Sequence, residues 1–162
     1  MKKINVITID GPSASGKGTL ARALSKEFKF HLLDSGLLYR TYAFLKLNGI
    51  DGIDLVNEIK NKFVFDTSKK EIVILYKNIE ITNEIRSEKI AKIASKISTI
   101  NKTRQDLLAI QRSFYKLPGL VADGRDMLSL IHISEPTRQA EMAYAGVGVE
   151  KKGGGGGGGG GG

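Results

Sequence analysis

Gly11-Pro12-Ser13-Ala14-Ser15-Gly16-Lys17-Gly18-Thr19 sets glycines, hydroxyl side chains and a lysine in the order G-x-x-x-x-G-K. Glycines let a backbone take left-handed dihedrals and approach a ligand closely. Successive N–H groups can then converge on one anion-sized hollow, and a helix starting there adds its positive end. Lys17 supplies the point charge that such a loop sets against the β- and γ-phosphates of a nucleoside triphosphate. The general motif has Ser or Thr directly after the lysine, whereas here Gly18 intervenes before Thr19. Thr19 is therefore an open candidate for a Mg2+ ligand. The alternative is a glycine-rich turn that holds nothing, and the flanking elements decide between the two.

Those flanks fit a phosphate site. Residues 4–10 are mostly apolar and β-branched, as in a buried parallel strand. Leu20, Ala23, Leu24 and Phe28 then recur at helical spacing. Strand, loop and helix open an α/β unit. Residues 30–34 predict a second strand, and a helix follows from Ser35 to about Asn48-Gly49. Residues 51–60 predict a modest helix. Residues 63–66, 71–76 and 78–81 are short and alternating, with Lys69-Lys70 and Lys77-Asn78 at turns, which predicts a small antiparallel insert. Residues 87–100 and 102–115 read as helices; Leu107, Ile110, Gln111 and Phe114 share a face of the second, and Pro118-Gly119 ends it. Residues 120–123 are a third buried strand, running into Gly124-Arg125-Asp126.

Composition narrows the partners. The chain has 162 residues and a net charge of +8, and it lacks cysteine, which excludes disulfides, thiol nucleophiles and cysteine metal sites. Arg138, Lys151 and Lys152 balance Glu135, Glu141 and Glu150, so the whole excess lies in residues 1–127. That excess suits an anionic partner, either nucleic acid or a phosphorylated small molecule. No apolar run approaches the roughly 20 residues that span a bilayer. Asp10 and Gly11 interrupt the first apolar run, so it is not a signal peptide. A cytoplasmic location and no membrane partner are expected.

Gly11–Thr19, followed by Leu33-Asp34-Ser35-Gly36-Leu37-Leu38-Tyr39-Arg40, resembles the bacterial cytidylate kinase family. The likeness continues through Glu84-Ile85-Arg86, Ala94-Ser95, Arg104, Gln111-Arg112 and Gly119-Leu120-Val121-Ala122-Asp123-Gly124-Arg125-Asp126-Met127. The resemblance implies transfer of the γ-phosphoryl group of ATP to CMP or dCMP, with Mg2+ as cofactor. It assigns Gly11, Pro12, Ser13, Ala14, Ser15, Gly16, Lys17, Gly18 and Thr19 to the ATP phosphates. It assigns Ser35, Arg40, Ser95, Arg104, Asp123 and Arg125 to the acceptor, and makes Lys17, Asp123 and Arg125 the catalytic set. Residues 62–86 match the family's small acceptor-binding insert. Elementary chemistry agrees, because transfer between two phosphates needs alignment and positive charge rather than a protein nucleophile. Arg40, Arg104 and Arg125 carry planar forks suited to phosphate oxygens. Asp123, at a strand end, can hold Mg2+ through water or orient an arginine. Arg112 sits about 80° round the helix from Arg104, at about 100° per residue, and reads as structural. Asp126 can cap or pair with Arg125, His31 reads as a core or edge histidine, and Tyr39 as packing.

The likeness stops at Met127. Residues 128–138 look like a translated transposase-type sequencing adapter, residues 142–151 like its continuation with single bases changed to G, and Gly153–Gly162 like translated poly-G. Residues 128–162 are therefore expected to be a non-native, disordered tail, and residues 1–127 a C-terminally truncated P-loop kinase core. That core is expected to be a parallel sheet with flanking helices and a small antiparallel β insert. The chain alone is expected to be inactive, lacking the arginines that close over ATP; the full-length parent is expected to be monomeric, with no nucleic-acid partner. Alternatives are another small-molecule P-loop kinase, or a non-catalytic nucleic-acid-binding module suggested by the charge alone.

Overall fold

The computed structural model describes residues 3–12, 14–124 and 127. Ser13, Arg125, Asp126 and the tail at 128–162 lie outside the described residues.

The chain begins with β1 (Asn5–Ile9), α1 (Lys17–Phe28), β2 (His31–Asp34) and α2 (Ser35–Leu47), as the sequence predicts. Three more helices are α3 (Gly52–Lys62), α5 (Glu88–Ile97) and α6 (Asn101–Ser113), and the last strand is β6 (Gly119–Asp123). All five residues of β6 are buried. The strand order β1-β6-β2 explains why: β6 is the central strand, paired in parallel with a neighbour on each side. A strand covered on both faces has no need of polar alternation. Ile9 pairs with Asp123, and Asp34 pairs with Asp123, so all three strands end together on one edge of the sheet. Crevices outside that carboxyl edge are where open parallel sheets bind ligands.

The expected insert is an antiparallel sheet of β3 (Phe63–Asp66), β4 (Val73–Tyr76) and β5 (Ile79–Glu80). Its hairpin turns at Lys77 (φ 50°) and Asn78 (φ 66°). Two successive left-handed residues match the right-handed twist of a hairpin. Tyr76 secures the insert from beneath: its ring stacks on Phe63 at 4.5 Å and its hydroxyl donates to Glu58 Oε2 on α3 at 2.7 Å. Glu71 and Ile72 precede β4 rather than joining it. One element escapes the sequence reading, the single turn α4 (Thr82–Ile85), which is too short to show a period. It is anchored by Thr82 Oγ1, which accepts from Ile74 N at 3.0 Å.

Helix starts follow local chemistry. Asp34 Oδ1 caps α2 by accepting from Leu37 N at 3.0 Å, and Ser87 Oγ caps α5 by accepting from Ile90 N at 3.4 Å. His31 is structural, its Nε2 donating to Leu117 O at 2.9 Å.

Tyr42 joins α2 to α6. It is 1 % exposed, and its hydroxyl donates to Asp106 Oδ2 at 2.9 Å, while Lys102 pairs with the other oxygen of Asp106. Burial, then the bond to Asp106 and its charge, push the phenol up to about 12. A raised folded value means the contribution is complete below the ordinary value of 10 and is lost as pH climbs toward 12. Tyr42→Phe is expected to cost about 1 kcal/mol at pH 7. Urea titrations should show that gap narrowing above pH 10, where only the unaltered chain carries the titrating phenol.

Candidate functional site

The loop after β1 turns twice through left-handed backbone, at Ala14 (φ 61°) and Gly16 (φ 82°). Gly16 is also the N-cap of α1 and offers no side-chain acceptor, and α1 has no acid in its first turn. Its first N–H groups therefore face the cleft uncapped, with Lys17 as the opening residue. Ser15 Oγ donates back to Pro12 O at 2.8 Å and folds the loop on itself. This is a backbone nest at a helix N-terminus, a combination suited to phosphate.

The loop forms one wall of a cleft of about 1680 Å³. Among the described candidates, Gly11, Pro12, Ala14, Ser15, Gly16, Lys17, Gly18 and Thr19 line it, and so do Ser35, Arg40, Ser95, Arg104 and Asp123. The sheet edge forms its floor, α2 and α5 one side, and α6 another. Arg112 does not line it, and Tyr39 does.

Asp123 closes β6 at the centre of that floor and is 6 % exposed. A Cβ placed on Gly18 would stand 3.4 Å from Asp123 Oδ2 and 3.8 Å from Arg22 Nη1. Gly18, where the general motif has a hydroxyl residue, thus places the first turn of α1 in ordinary contact range of the carboxylate and the guanidinium. Burial pushes the Asp123 carboxyl above the usual carboxylate range, and the charges of Asp34 and Asp10 add to that. Lys17 and Arg22 oppose it. Its Oδ1 is buried with no hydrogen-bond partner among the described residues. A native buried acceptor without a partner costs roughly 1–3 kcal/mol, which favours a ligand at that atom.

Two arginines couple the cleft to the insert. Arg40 Nη1 donates to Ile85 O at 3.4 Å, and Arg86 Nη2 to Ile72 O at 3.5 Å. Both bonds are long, and each fork keeps further donors. Sequence reasoning left Arg86 without a role, and also missed Asp10, Arg22, Asp34 and Gln111, all of which line the cleft. Asp10 and Asp34 could have been found by the rule that picked out Asp123, since each lies at the carboxyl end of a strand. Arg22 sits one helical turn beyond Gly18. For Gln111 the sequence carries no such signal.

Gly124 must be glycine for reasons of space. A Cβ there would fall 1.8 Å from Ser35 Oγ and 2.9 Å from Ser35 Cβ. Gly124 N also donates to Ile9 O at 3.2 Å, extending the β1–β6 ladder into the cleft. Gly124→Ala should therefore destabilise the chain by about 1–3 kcal/mol, as overpacking does. Adding Ser35→Gly should recover part of that loss in the same thermal melts.

A parallel sheet with a glycine loop after its first strand, and a lysine opening the helix that follows, defines a P-loop α/β phosphate-binding core. The family model for cytidylate kinase matches residues 7–137. Among curated relatives, the cytidylate kinase of Nitrosomonas eutropha is 46% identical over 129 residues, 79% of this chain and 58% of that protein. That of Acinetobacter baylyi is 42% identical over 148 residues, 86% of this chain and 63% of the relative. That of Shigella boydii is 38% identical over 140 residues, 82% and 61% of the two chains. The chain belongs to the cytidylate kinase family, and it spans about three fifths of the length of these curated relatives. Among the described residues no helix is long and apolar enough to cross a membrane.

Proposed function

We propose that the protein to which this chain belongs transfers the γ-phosphoryl group of ATP to CMP or dCMP. The observation that carries this reading is the meeting, in one cleft, of the Lys17 loop with Ser35, Arg40, Ser95 and Arg104. A single small-molecule pocket is typically about 300–1,000 Å³, so a cleft of about 1680 Å³ has room for two nucleotides.

In this reading Gly11–Thr19 wrap the triphosphate, Lys17 neutralises its transferred end, and Thr19 at the start of α1 is a second ligand for phosphate or Mg2+. Ser35, Arg40, Ser95 and Arg104 hold the acceptor, a role the resemblance gives to Arg125 as well, and the insert at 62–86 covers that side. Arg40 orients the acceptor phosphate through a planar fork, and Ser35 donates a hydrogen bond. The residues fit a Mg2+ ion that arrives with the nucleotide. Asp123 Oδ1 is an orphaned acceptor beside two further carboxylates. No group of three or more acidic or histidine side chains among the described residues could hold a metal alone. Mg2+ keeps waters and binds through one or two carboxylates plus substrate phosphates, so a cage is not required. When bound, it would neutralise charge on the transferring phosphates. Asp123 would hold it through water, and Arg22 and Lys17 would keep that carboxylate ionised.

The test is ADP release with CMP, dCMP, UMP, AMP or shikimate as acceptor, run on this chain and on a protein that carries it at the full length of its relatives. Turnover should be fastest with CMP or dCMP. Fastest turnover with AMP or shikimate would replace the proposal with another small-molecule kinase.

A further inference from the structure

Arg40 and Arg104 line the same cleft from two different helices, α2 and α6. Neither helix alone fixes the distance between them. Arg104 lies in the opening turn of α6, where Ile100 gives no side-chain cap and the first turn carries no acid. Local chemistry therefore fastens the start of α6 only weakly. A firmer hold comes from α2. The Tyr42 hydroxyl donates to Asp106 Oδ2 at 2.9 Å, and Lys102, one turn earlier on α6, pairs with Asp106 Oδ1. Tyr42 is buried, and only 11 % of the Asp106 side chain is exposed. The phenol is pushed up to about 12, so at neutral pH the hydroxyl keeps its proton and remains a donor. A directed bond between groups shielded from water fixes two helices more narrowly than apolar contact, which tolerates sliding.

The bond sits behind the cleft, not in it. Arg40 precedes Tyr42 by two residues, and Arg104 precedes Asp106 by two. At about 100° per residue, each arginine leaves its helix on nearly the opposite side from the bond. Both arginines line the cleft, and neither Tyr42 nor Asp106 does. Two residues span only about 3 Å of helix rise, so a slip at Asp106 is carried rigidly to Arg104. We propose that Tyr42 and Asp106 are a positioning pair, whose bond sets Arg104 against Arg40 so that both engage one acceptor. Neither touches the acceptor; each acts through the arginine two residues before it. This rests on reading the cleft as the site of a nucleoside monophosphate. The stakes are set by alignment, because a misplacement of about 1 Å from a remote change can cost up to about a hundredfold.

The experiment is a double-mutant cycle on a protein that carries this chain at the full length of its relatives. Calorimetry measures CMP and ATP binding for the unaltered protein, Tyr42→Phe, Arg104→Ala and the double variant. Tyr42→Phe keeps the ring packed and leaves Asp106 paired with Lys102, so the fold stands. CMP binding should weaken about fivefold, a coupling usual for residues in one network, and ATP affinity should be unchanged. Once Arg104 is gone, losing the hydroxyl should cost CMP binding less than about twofold. A merely structural role would weaken both ligands alike and would not depend on Arg104. Asp106→Asn gives a second readout. Its side-chain oxygen still accepts from the phenol, so CMP affinity should be kept, whereas Asp106→Leu should repeat the loss. Charge cannot explain a loss in Asp106→Leu, because removing a carboxylate favours anion binding. An equal CMP loss with and without Arg104, equal losses for the two nucleotides, or no loss overturns the inference and leaves the proposed function standing. Failure of the unaltered protein to bind CMP overturns both.

Discussion

If the proposed function holds, Lys17→Met in the full-length protein should lower phosphoryl transfer by at least about a hundredfold, the loss typical of removing one preorganised charge partner from a transition state. The site's geometry sets this expectation. Lys17 opens α1 directly after the left-handed Gly16, and it lines the same cleft as the loop and the positive helix end. Among the described residues Lys17 makes no ion pair and no side-chain hydrogen bond, and its charge acts only at longer range on Asp123, where Arg22 still opposes the rise. The melting temperature should therefore stay within a degree or so, as for other substitutions outside the core. In the 162-residue chain, calorimetry should show weakened ATP binding with CMP binding retained. That contrast assigns the lysine to the donor side of the cleft. Lys17→Arg should not rescue, because a planar fork cannot take the place of a compact point charge in a closed nest. Undiminished ATP affinity in Lys17→Met would move the triphosphate to another part of the cleft.

Much of this site is local in sequence, which is why it can be read from sequence. The loop's conformation depends on Gly11, Gly16 and Gly18 and on the strand and helix beside them, all within about two dozen residues. The caps at Asp34 and Ser87, and the Lys77-Asn78 turn, are local too. What could not be read is the order of the strands. β6 enters between β1 and β2 although it comes last, because its apolar residues need cover on both sides and no local rule states which neighbours supply it. The insertion of β6 brings Asp10, Asp34 and Asp123 to one edge, and the crowding that shifts Asp123 follows from it. Arg86 and Gln111 belong to the same class. Their types are ordinary for exposed helix and turn positions, and only the packing of the turn after α4, for Arg86, and of α6, for Gln111, brings them to the cleft. Arg125, assigned by resemblance, lies outside the described residues.

Asp123→Asn should move stability and activity in opposite directions. In the ligand-free chain the carboxyl sits above its ordinary value of 3.8, chiefly through burial and then through Asp34. The folded form therefore holds its proton to higher pH than the unfolded form. Stability linked to this group is complete below that ordinary range and is lost as pH rises through the folded value. At pH 7 the charged, partly unpartnered Asp123 opposes folding, and removing its charge should add about 1 kcal/mol, or roughly 4 °C in melting temperature. Near pH 3, where both forms carry the proton, the two proteins should melt together. With ATP and Mg2+ the order should reverse. A ligand present at a hundred times its dissociation constant stabilises by about 2.7 kcal/mol, and Asn offers a poorer partner to a hydrated cation than a carboxylate does. Turnover should fall by about a hundredfold or more for the same reason. Melts at pH 3 and pH 7, each with and without MgATP, separate the effects. If Asp123→Asn melts lower at pH 7 without ligand, the carboxylate has a structural partner and its strain is not what the nucleotide relieves. If it melts higher but gains as much from MgATP as the unaltered chain, the cation is held elsewhere. The crossing of the two orders is the signature of a carboxylate kept at a cost to the empty fold because the loaded one uses it.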